Sequence, residues 1–439
     1  METNGKPKVD TIKIKNIFAD HWDQFARVNL HKIPKDMVDS VKESVEKMLR
    51  CGDPKYGYVE YVCLDCSKHR KIVGFSCKSR FCNRCGKVYI ENWVNRQVER
   101  IIDVSHRHTV FTIPVELRSK FYWHRDLLKD LSDGVAEVIQ YWYRNKAKRK
   151  GYEVGIITTV HTFGRDMSFN PHVHALVTEG ALDRYKNWKD VGYIPYEYLR
   201  KSWQKVLLDI IKNKFGQEPG IKKLITDLYH RYPKGFYVHA RTRMKDARGA
   251  AKYIGRYLAR PAIAEYRIIS YDGKNIKFWY IDHADHERKE KELDALEFIG
   301  KLIMHIPKKH FKMVRRYGLY RRDTNKLAQK VVGLYNYIKT KISSKLKPRV
   351  TRKQTWKERL IQNFGKNPLI CPSCKSEMEL WIIWHPRYGY IYNAYTDLRE
   401  VREENDGQKE RDMGRRHSSV SRRFRGQSPS QLSLSELWV

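Results

Sequence analysis

Several things are missing from the chain, and each absence narrows its class. No stretch approaches the roughly 18 to 20 uninterrupted apolar residues of a membrane-spanning helix, so no such segment and no membrane partner are expected. The opening residues run into no apolar h-region, so no secretory signal is expected and the setting should be cytoplasmic. No GxxxxGK[ST] phosphate loop occurs, which excludes a fused helicase. There is no internal repeat. Acid is scarce: 50 Asp and Glu stand against 87 Lys and Arg in 439 residues, a net charge of +37. Such an excess is costly by self-repulsion unless a polyanion neutralises it. The 28 Tyr and 11 Trp add stacking surfaces, and cations with aromatics suit single-stranded nucleic acid and a nucleoid association. Hydrophobic residues at 41% exclude global disorder, and the length suggests about three domains at roughly 150 residues each.

The eight cysteines are grouped. Cys63-x2-Cys66 and Cys82-x2-Cys85 have the spacing of two thiolate knuckles that complete one tetrahedral S4 zinc site. Disulfides are not expected in a reducing compartment. Lys68, Arg70, Lys71, Lys78, Arg80, Arg84 and Lys87 surround the knuckles, so this region should face phosphate. Cys51 and Cys77 are left over, as buried small hydrophobes or as exchangeable ligands, and His69 is another possible ligand. The late pair Cys371 and Cys374 looks like half of a further site; joined to Cys51 and Cys77 it would make a second S4 set.

Apolar spacing orders the rest. Residues 1–35 suggest a short helix and loops. Val38, Val41, Val45 and Met48 mark a helix, as do Ile90, Val94, Val98 and Ile101. Strands are expected from His108, Gly155, His172, Phe236 and Ile276, with helices at Leu127–Trp142, Leu199–Ile210 and Asp246–Ala259. The result is an α+β chain divided as 1–104, a zinc-binding and DNA-binding module; 105–283, a catalytic domain; 284–395, a mostly helical region with a basic linker and the late Cys pair; and 396–439, a charged, Ser/Arg-rich tail expected to be disordered.

Two constellations carry chemistry. His172 and His174, at i and i+2 on a strand, share one face and can hold one divalent ion. If the preceding strand returns in a hairpin centred near Asp166–Met167, His161 lies opposite His172 and completes a three-histidine site; a one-residue slip turns it away. His239, or a residue on the helix described next, is the alternative third ligand. That helix carries Tyr253 and Tyr257 four apart on one face, with Arg256 and Arg260, while Ala251, Ile254 and Leu258 fall on another. Phenol, histidine-bound metal and guanidinium together suit phosphodiester chemistry, with tyrosine as nucleophile.

These segments resemble a known family. HisThrPheGlyArgAspMetSerPheAsnProHisValHisAlaLeuVal, from His161, is similar to the His-hydrophobic-His segment of the two-tyrosine HUH rolling-circle transposases of bacterial insertion sequences. TyrIleGlyArgTyrLeuAlaArg, from Tyr253, resembles their paired-tyrosine helix, SerCysLysSerArgPheCysAsnArgCys, from Ser76, their N-terminal zinc-binding module, and HisThrValPheThrIlePro, from His108, the first strand of their nuclease domain. The similarity runs from about residue 15 to 395, and Asn83 stands where a proline is usual. The resemblance implies an antiparallel sheet with the metal histidines on a central strand and the tyrosine helix beside it. It also implies Mg²⁺ or Mn²⁺, structural Zn²⁺, and a 5′-phosphotyrosine intermediate on single-stranded DNA at element ends and target. His172 and His174 are then metal ligands and Tyr253 and Tyr257 nucleophiles; Arg256 and Arg260 on the tyrosine face, and Arg80 and Arg84 around the knuckles, are expected from their positions to contact DNA. A replication initiator or relaxase with the same active site, and a zinc protein that only binds DNA, are the competing readings.

Overall fold

The computed structural model describes residues 12–98, 100–146, 151–191, 194–239, 243–244, 247–258, 261–282, 285–342, 358, 361, 367 and 369–396. The helices are α1 (Ile14–Val28), α2 (Val38–Arg50), α3 (Asn83–Val98), α4 (Val115–Trp123), α5 (Leu127–Lys146), α6 (Tyr196–Phe215), α7 (Ile221–Arg231), α8 (Ala247–Leu258), α9 (Ala295–Ile303) and α10 (Asn325–Ile342). The strands are β1 (Tyr58–Val62), β2 (Arg70–Gly74), β3 (His106–Thr112), β4 (Glu153–Phe163), β5 (Phe169–Leu182), β6 (Trp188–Asp190), β7 (Val238–His239), β8 (Arg243–Met244), β9 (Ile268–Tyr271), β10 (Asn275–Ile281), β11 (Arg288–Asp294), β12 (Val314–Gly318), β13 (Glu379–His385) and β14 (Gly389–Asn393). The chain is α+β and its described strand pairs are antiparallel.

Two compact units interleave in sequence, one from residues 1–49 and 78–346, the other from 50–77 and 347–439. Neither has a boundary near 104 or 283, where a division along the sequence would cut.

The larger unit is built on a seven-stranded sheet, ordered β12-β4-β5-β3-β7, with β6 paired to β5 and β8 to β3. Side chains alternate across such a sheet. On β5, Val173, Ala175 and Val177 point to one face and pack with Trp203 of α6 and Leu131, Val135 and Ile139 of α5. His172, His174 and Leu176 point to the other, where Leu176 packs with Ala250, Ala251 and Ile254 of α8 and Trp93 of α3. The first face is filled by side chains up to the size of Trp203 and Tyr143; each adds about 2 kcal/mol or more of burial. The second face carries its own buried apolar cluster, and His161, His172 and His174 also lie on it.

Helix α1 exceeds the short helix expected before residue 35: Ile14, Ile17, Phe18, Trp22 and Phe25 bury one stripe against the chain. Helix α2 matches the valine spacing, with Val41, Val45 and Met48 buried. The segment 284–395, expected to be mostly helical, holds two helices and four strands among the described residues. Strand β12, ValArgArgTyrGly, escapes a period-2 reading because it is a short edge strand whose first four residues are all half-buried. Most of the basic linker Lys339–Arg359 and the tail from residue 397 lie outside the described residues.

In the smaller unit, β14-β13-β1-β2 form a four-stranded sheet. β1 pairs with β13, so Val59 faces Ile383 and Val62 faces Glu379. Val59, Tyr61, Leu369, Met378 and Ile383 are buried together with Cys63 and Cys371.

Candidate functional site

The β4–β5 hairpin sets the candidate metal centre. Its register pairs His161 with His172 and Thr159 with His174, as the hairpin centred near Asp166–Met167 requires. Irregularities lie between Val154 and Ile156 and between His161 and Phe163, so the register is regular where the histidines need it. The turn is held by Asp166, whose Oδ1 accepts from the Ser168 backbone N–H (3.1 Å) and hydroxyl (2.7 Å), and by Met167 in the left-handed region at φ 63°. Beneath it lies His305, which sequence reading did not single out. Its Nε2 donates to the Met167 carbonyl (3.1 Å) and its Nδ1 accepts from the Thr162 hydroxyl (3.1 Å). Burial pushes His305 down to about 3, so it acts as a neutral strut.

One nitrogen from each of His161, His172 and His174 lies within 4.8 Å of the others. His161 and His174 are 4% and 6% exposed. His172 donates Nδ1–H to the carbonyl of Asn170, 2.7 Å away, which leaves Nε2 as its ligating atom. The Nδ1 of His174 is 2.8 Å from Nε2 of His108, which again turns the Nε2 of His174 toward a ligand. Three imidazoles with two second nitrogens engaged fit a divalent ion. His239 sits opposite Val110 on β7 and is not in this group.

His108 was read in the sequence only as part of a strand. It is 3% exposed, and its Nδ1 is 3.0 Å from the hydroxyl of Tyr253. The clue is the alternation His106, His108, Val110 in β3, which puts both histidines on the face that carries His174. What brings them together, the pairing of Val110 with His174, is non-local.

Tyr253 stands on α8, with Ala251 and Ile254 fully buried on the other side, as the sequence spacing separates them. The side chains of Arg256 and Tyr257, also on α8, and all of Arg260 lie outside the described residues. Helix α8 crosses α3 at Gly255, where a Cβ would come 2.3 Å from Cγ2 of Val94. Gly255→Ala gains up to about 1 kcal/mol of helix propensity but overpacks the crossing by about 1–3 kcal/mol. The clash should win. Denaturant unfolding should show a net loss that Val94→Ala, made in the same chain, restores. A Gly255→Ala chain more stable than the parent would refute this packing.

The cysteines pair differently from the sequence expectation. Cys63, Cys66, Cys371 and Cys374 bring their sulfurs within 4.8 Å of one another, and Cys82 and Cys85 are not in that set. The Sγ distances are 3.3 Å for Cys63–Cys374, 3.5 Å for Cys63–Cys66 and 3.7 Å for Cys66–Cys371. Sulfurs at about 2.3 Å from a tetrahedral zinc would stand about 3.8 Å apart, so the set has the size of a zinc site. The Ser376 backbone N–H draws the Cys374 thiol down to about 6, toward the thiolate that binds metal. The antiparallel pairing of β1 with β13 places the two knuckles at one end of the sheet. Cys82-x2-Cys85 opens α3, both residues buried, and the Cys77 N–H donates to Cys51 Sγ at 3.5 Å. The late pair is therefore the partner of Cys63 and Cys66, not of Cys51 and Cys77. His69 donates to or accepts from Ser373 Oγ at 2.6 Å beside the set rather than joining it. Arg84 is exposed, and Arg80 lies over the Tyr89 ring at 5.9 Å.

Residues 155–327 match the family described as "Putative transposase", and residues 17–113 match "Transposase zinc-binding domain". The chain is 32% identical over 305 residues to the "Transposase for insertion sequence element IS801" of Pseudomonas savastanoi pv. phaseolicola, covering 67% of this chain and 72% of that one. It is 25% identical over 294 residues to the "Putative transposase y4qJ" of Sinorhizobium fredii (strain NBRC 101917 / NGR234), covering 62% and 73%. No solved structure matches. The sheet, the zinc module and these relatives define a DNA-processing enzyme. The chain belongs to the insertion-sequence transposase family that has an N-terminal zinc-binding domain. No helix among the described residues is long and apolar enough to cross a membrane.

Proposed function

We propose that this transposase nicks and rejoins single-stranded DNA through 5′-phosphotyrosine links in rolling-circle-type transposition. The observation that carries the reading is the alignment of the three histidine ligands with Tyr253, joined through His108. The nuclease is the seven-stranded sheet with α8; it takes in β12, beyond the 105–283 segment drawn from the sequence.

His161, His172 and His174 would hold Mg²⁺ or Mn²⁺, which supplies Lewis-acid polarisation of a phosphate oxygen. Helix α8 aims the Tyr253 phenol at the same face. In the nick, the bond from the phenol oxygen to phosphorus forms as the bond from phosphorus to O3′ breaks. The phenolic proton is lost and the O3′ leaves with a proton as a free 3′-OH. The phosphotyrosine link keeps the bond energy, so a later 3′-OH reverses the step on another strand without ATP. Tyr257, four residues along the same helix, would give the second link. Arg80, Arg84, Arg256 and Arg260 are assigned to flanking phosphates, and the charge of +37 supplies most of the affinity.

Incubating the chain with single-stranded element ends and Mn²⁺ should give a covalent protein–DNA adduct. His172→Ala with His174→Ala should lower cleavage by about 10³-fold or more while leaving DNA affinity within a few-fold, because affinity comes from many basic side chains. Parental cleavage in the double variant rejects the metal role. Tight binding with no adduct from the parental chain favours a zinc protein that only binds DNA.

A further inference from the structure

His108 lies between the two halves of the proposed chemistry. Its Nε2 is 2.8 Å from the Nδ1 of His174, and its Nδ1 is 3.0 Å from the Tyr253 hydroxyl. Its ring lies nearly parallel to that of His174, centroids 5.1 Å apart, and meets the Tyr253 ring edge-on at 4.6 Å. Strand β3 is paired on both sides, Val110 with His174 of β5 and with His239 of β7, so the ring is carried by an interior strand of the sheet.

We propose that His108 is a positioning residue that orients the Tyr253 phenol from the metal ligand His174. The inference rests on the two-tyrosine reading of the site. The hydrogen-bond directions follow from valence. His174 spends Nδ1 on His108, so Nε2 is the nitrogen left for a divalent ion. A neutral imidazole that ligates through Nε2 carries its proton on Nδ1 and donates it. His108 then accepts at Nε2, and its one ring proton sits on Nδ1, facing Tyr253. The phenol oxygen accepts that bond and its own O–H turns away from His108. A donor held on the phenol oxygen favours negative charge there, and that charge develops when a strand is released from the tyrosine. With the ion absent, valence no longer fixes the direction, so the occupied site selects one arrangement of the phenol.

Two variants test this in the full chain. His108→Phe keeps a ring and removes both nitrogens; His108→Gln keeps one donor and one acceptor, and covers the case in which the first fails to fold. Calorimetric Mn²⁺ affinity, measured without DNA, should fall roughly 10- to 100-fold in His108→Phe and less in His108→Gln. Adduct formation from Tyr253, read in a Tyr257→Phe background at saturating Mn²⁺, should slow about tenfold or more in His108→Phe, with partial recovery in His108→Gln. Unchanged affinity together with an unchanged adduct rate overturns the proposal. So does weakened affinity with an unchanged Tyr253 adduct rate at saturating Mn²⁺, which makes His108 a brace for His174 alone. A Tyr257→Phe chain that forms no adduct while the parent does also overturns it, because Tyr253 is then not a nucleophile. If the parental chain forms no adduct, the two-tyrosine reading itself fails, and Mn²⁺ affinity alone decides whether His108 supports His174.

Discussion

A chain carrying both Tyr253→Phe and Tyr257→Phe is expected to form no covalent adduct with single-stranded DNA, a loss of about 10⁴-fold or more. Removing a nucleophile removes the covalent route and leaves only background. Phenylalanine keeps the ring, so the half-buried ring at 253 should keep its place against the cluster beneath α8. At least one single variant should still form the adduct, and each should block complete transposition. In the proposed mechanism one tyrosine holds the donor strand while the other cuts a second strand, whose 3′-OH resolves the first link. Denaturing gels with end-labelled DNA read the adduct directly. An adduct from the double variant places the nucleophile elsewhere. Normal transposition by either single variant makes that tyrosine structural.

Replacing Cys371 and Cys374 with serine is expected to remove one zinc per chain and to unfold the smaller unit. Their sulfurs complete the set with Cys63 and Cys66, and a structural zinc shell contributes apparent binding free energy on the order of 10 kcal/mol to folding. Little else replaces it among the described residues: the buried apolar residues around the set are Val59, Tyr61, Leu369, Met378 and Ile383. Metal analysis by mass spectrometry gives the stoichiometry, and hydrogen exchange over β1 and β13 gives the unfolding. Zinc content unchanged in the serine variant would reject this set and return Cys63 and Cys66 to Cys82 and Cys85, the pairing that spacing alone suggests.

The two sites differ in how much of them the sequence carried. His161, His172 and His174 sit on one hairpin, so a local rule, strand alternation plus a turn position, is enough to bring them together. The separation of Tyr253 from Ala251 and Ile254 was equally local, a matter of helical spacing. His108 was not legible, because its place depends on which strand β3 chooses as neighbour. The cysteines misled for the same reason. Two knuckles separated by fifteen residues look complete by themselves, yet β1 takes β13 as its partner and brings Cys371 and Cys374 to Cys63 and Cys66. The strand at Val314–Gly318 was missed because an edge strand with two adjacent arginines lacks the apolar alternation that marks a buried one.

The cysteine set has a consequence for the order in which the protein is made. Cys66 and Cys371 are 305 residues apart in the chain. At about 5–20 residues per second, a ribosome that has just released Cys66 needs roughly 15–60 s to deliver its partner. Throughout that interval β1 has β2 but not β13, and two thiols of a four-sulfur shell stand without the other two. The seven-stranded sheet, by contrast, is complete once Gly318 has emerged. Synthesis therefore delivers every strand of the seven-stranded sheet before the smaller unit can close, and a message cut short before Cys371 yields a chain with that sheet finished and an open half-site for zinc.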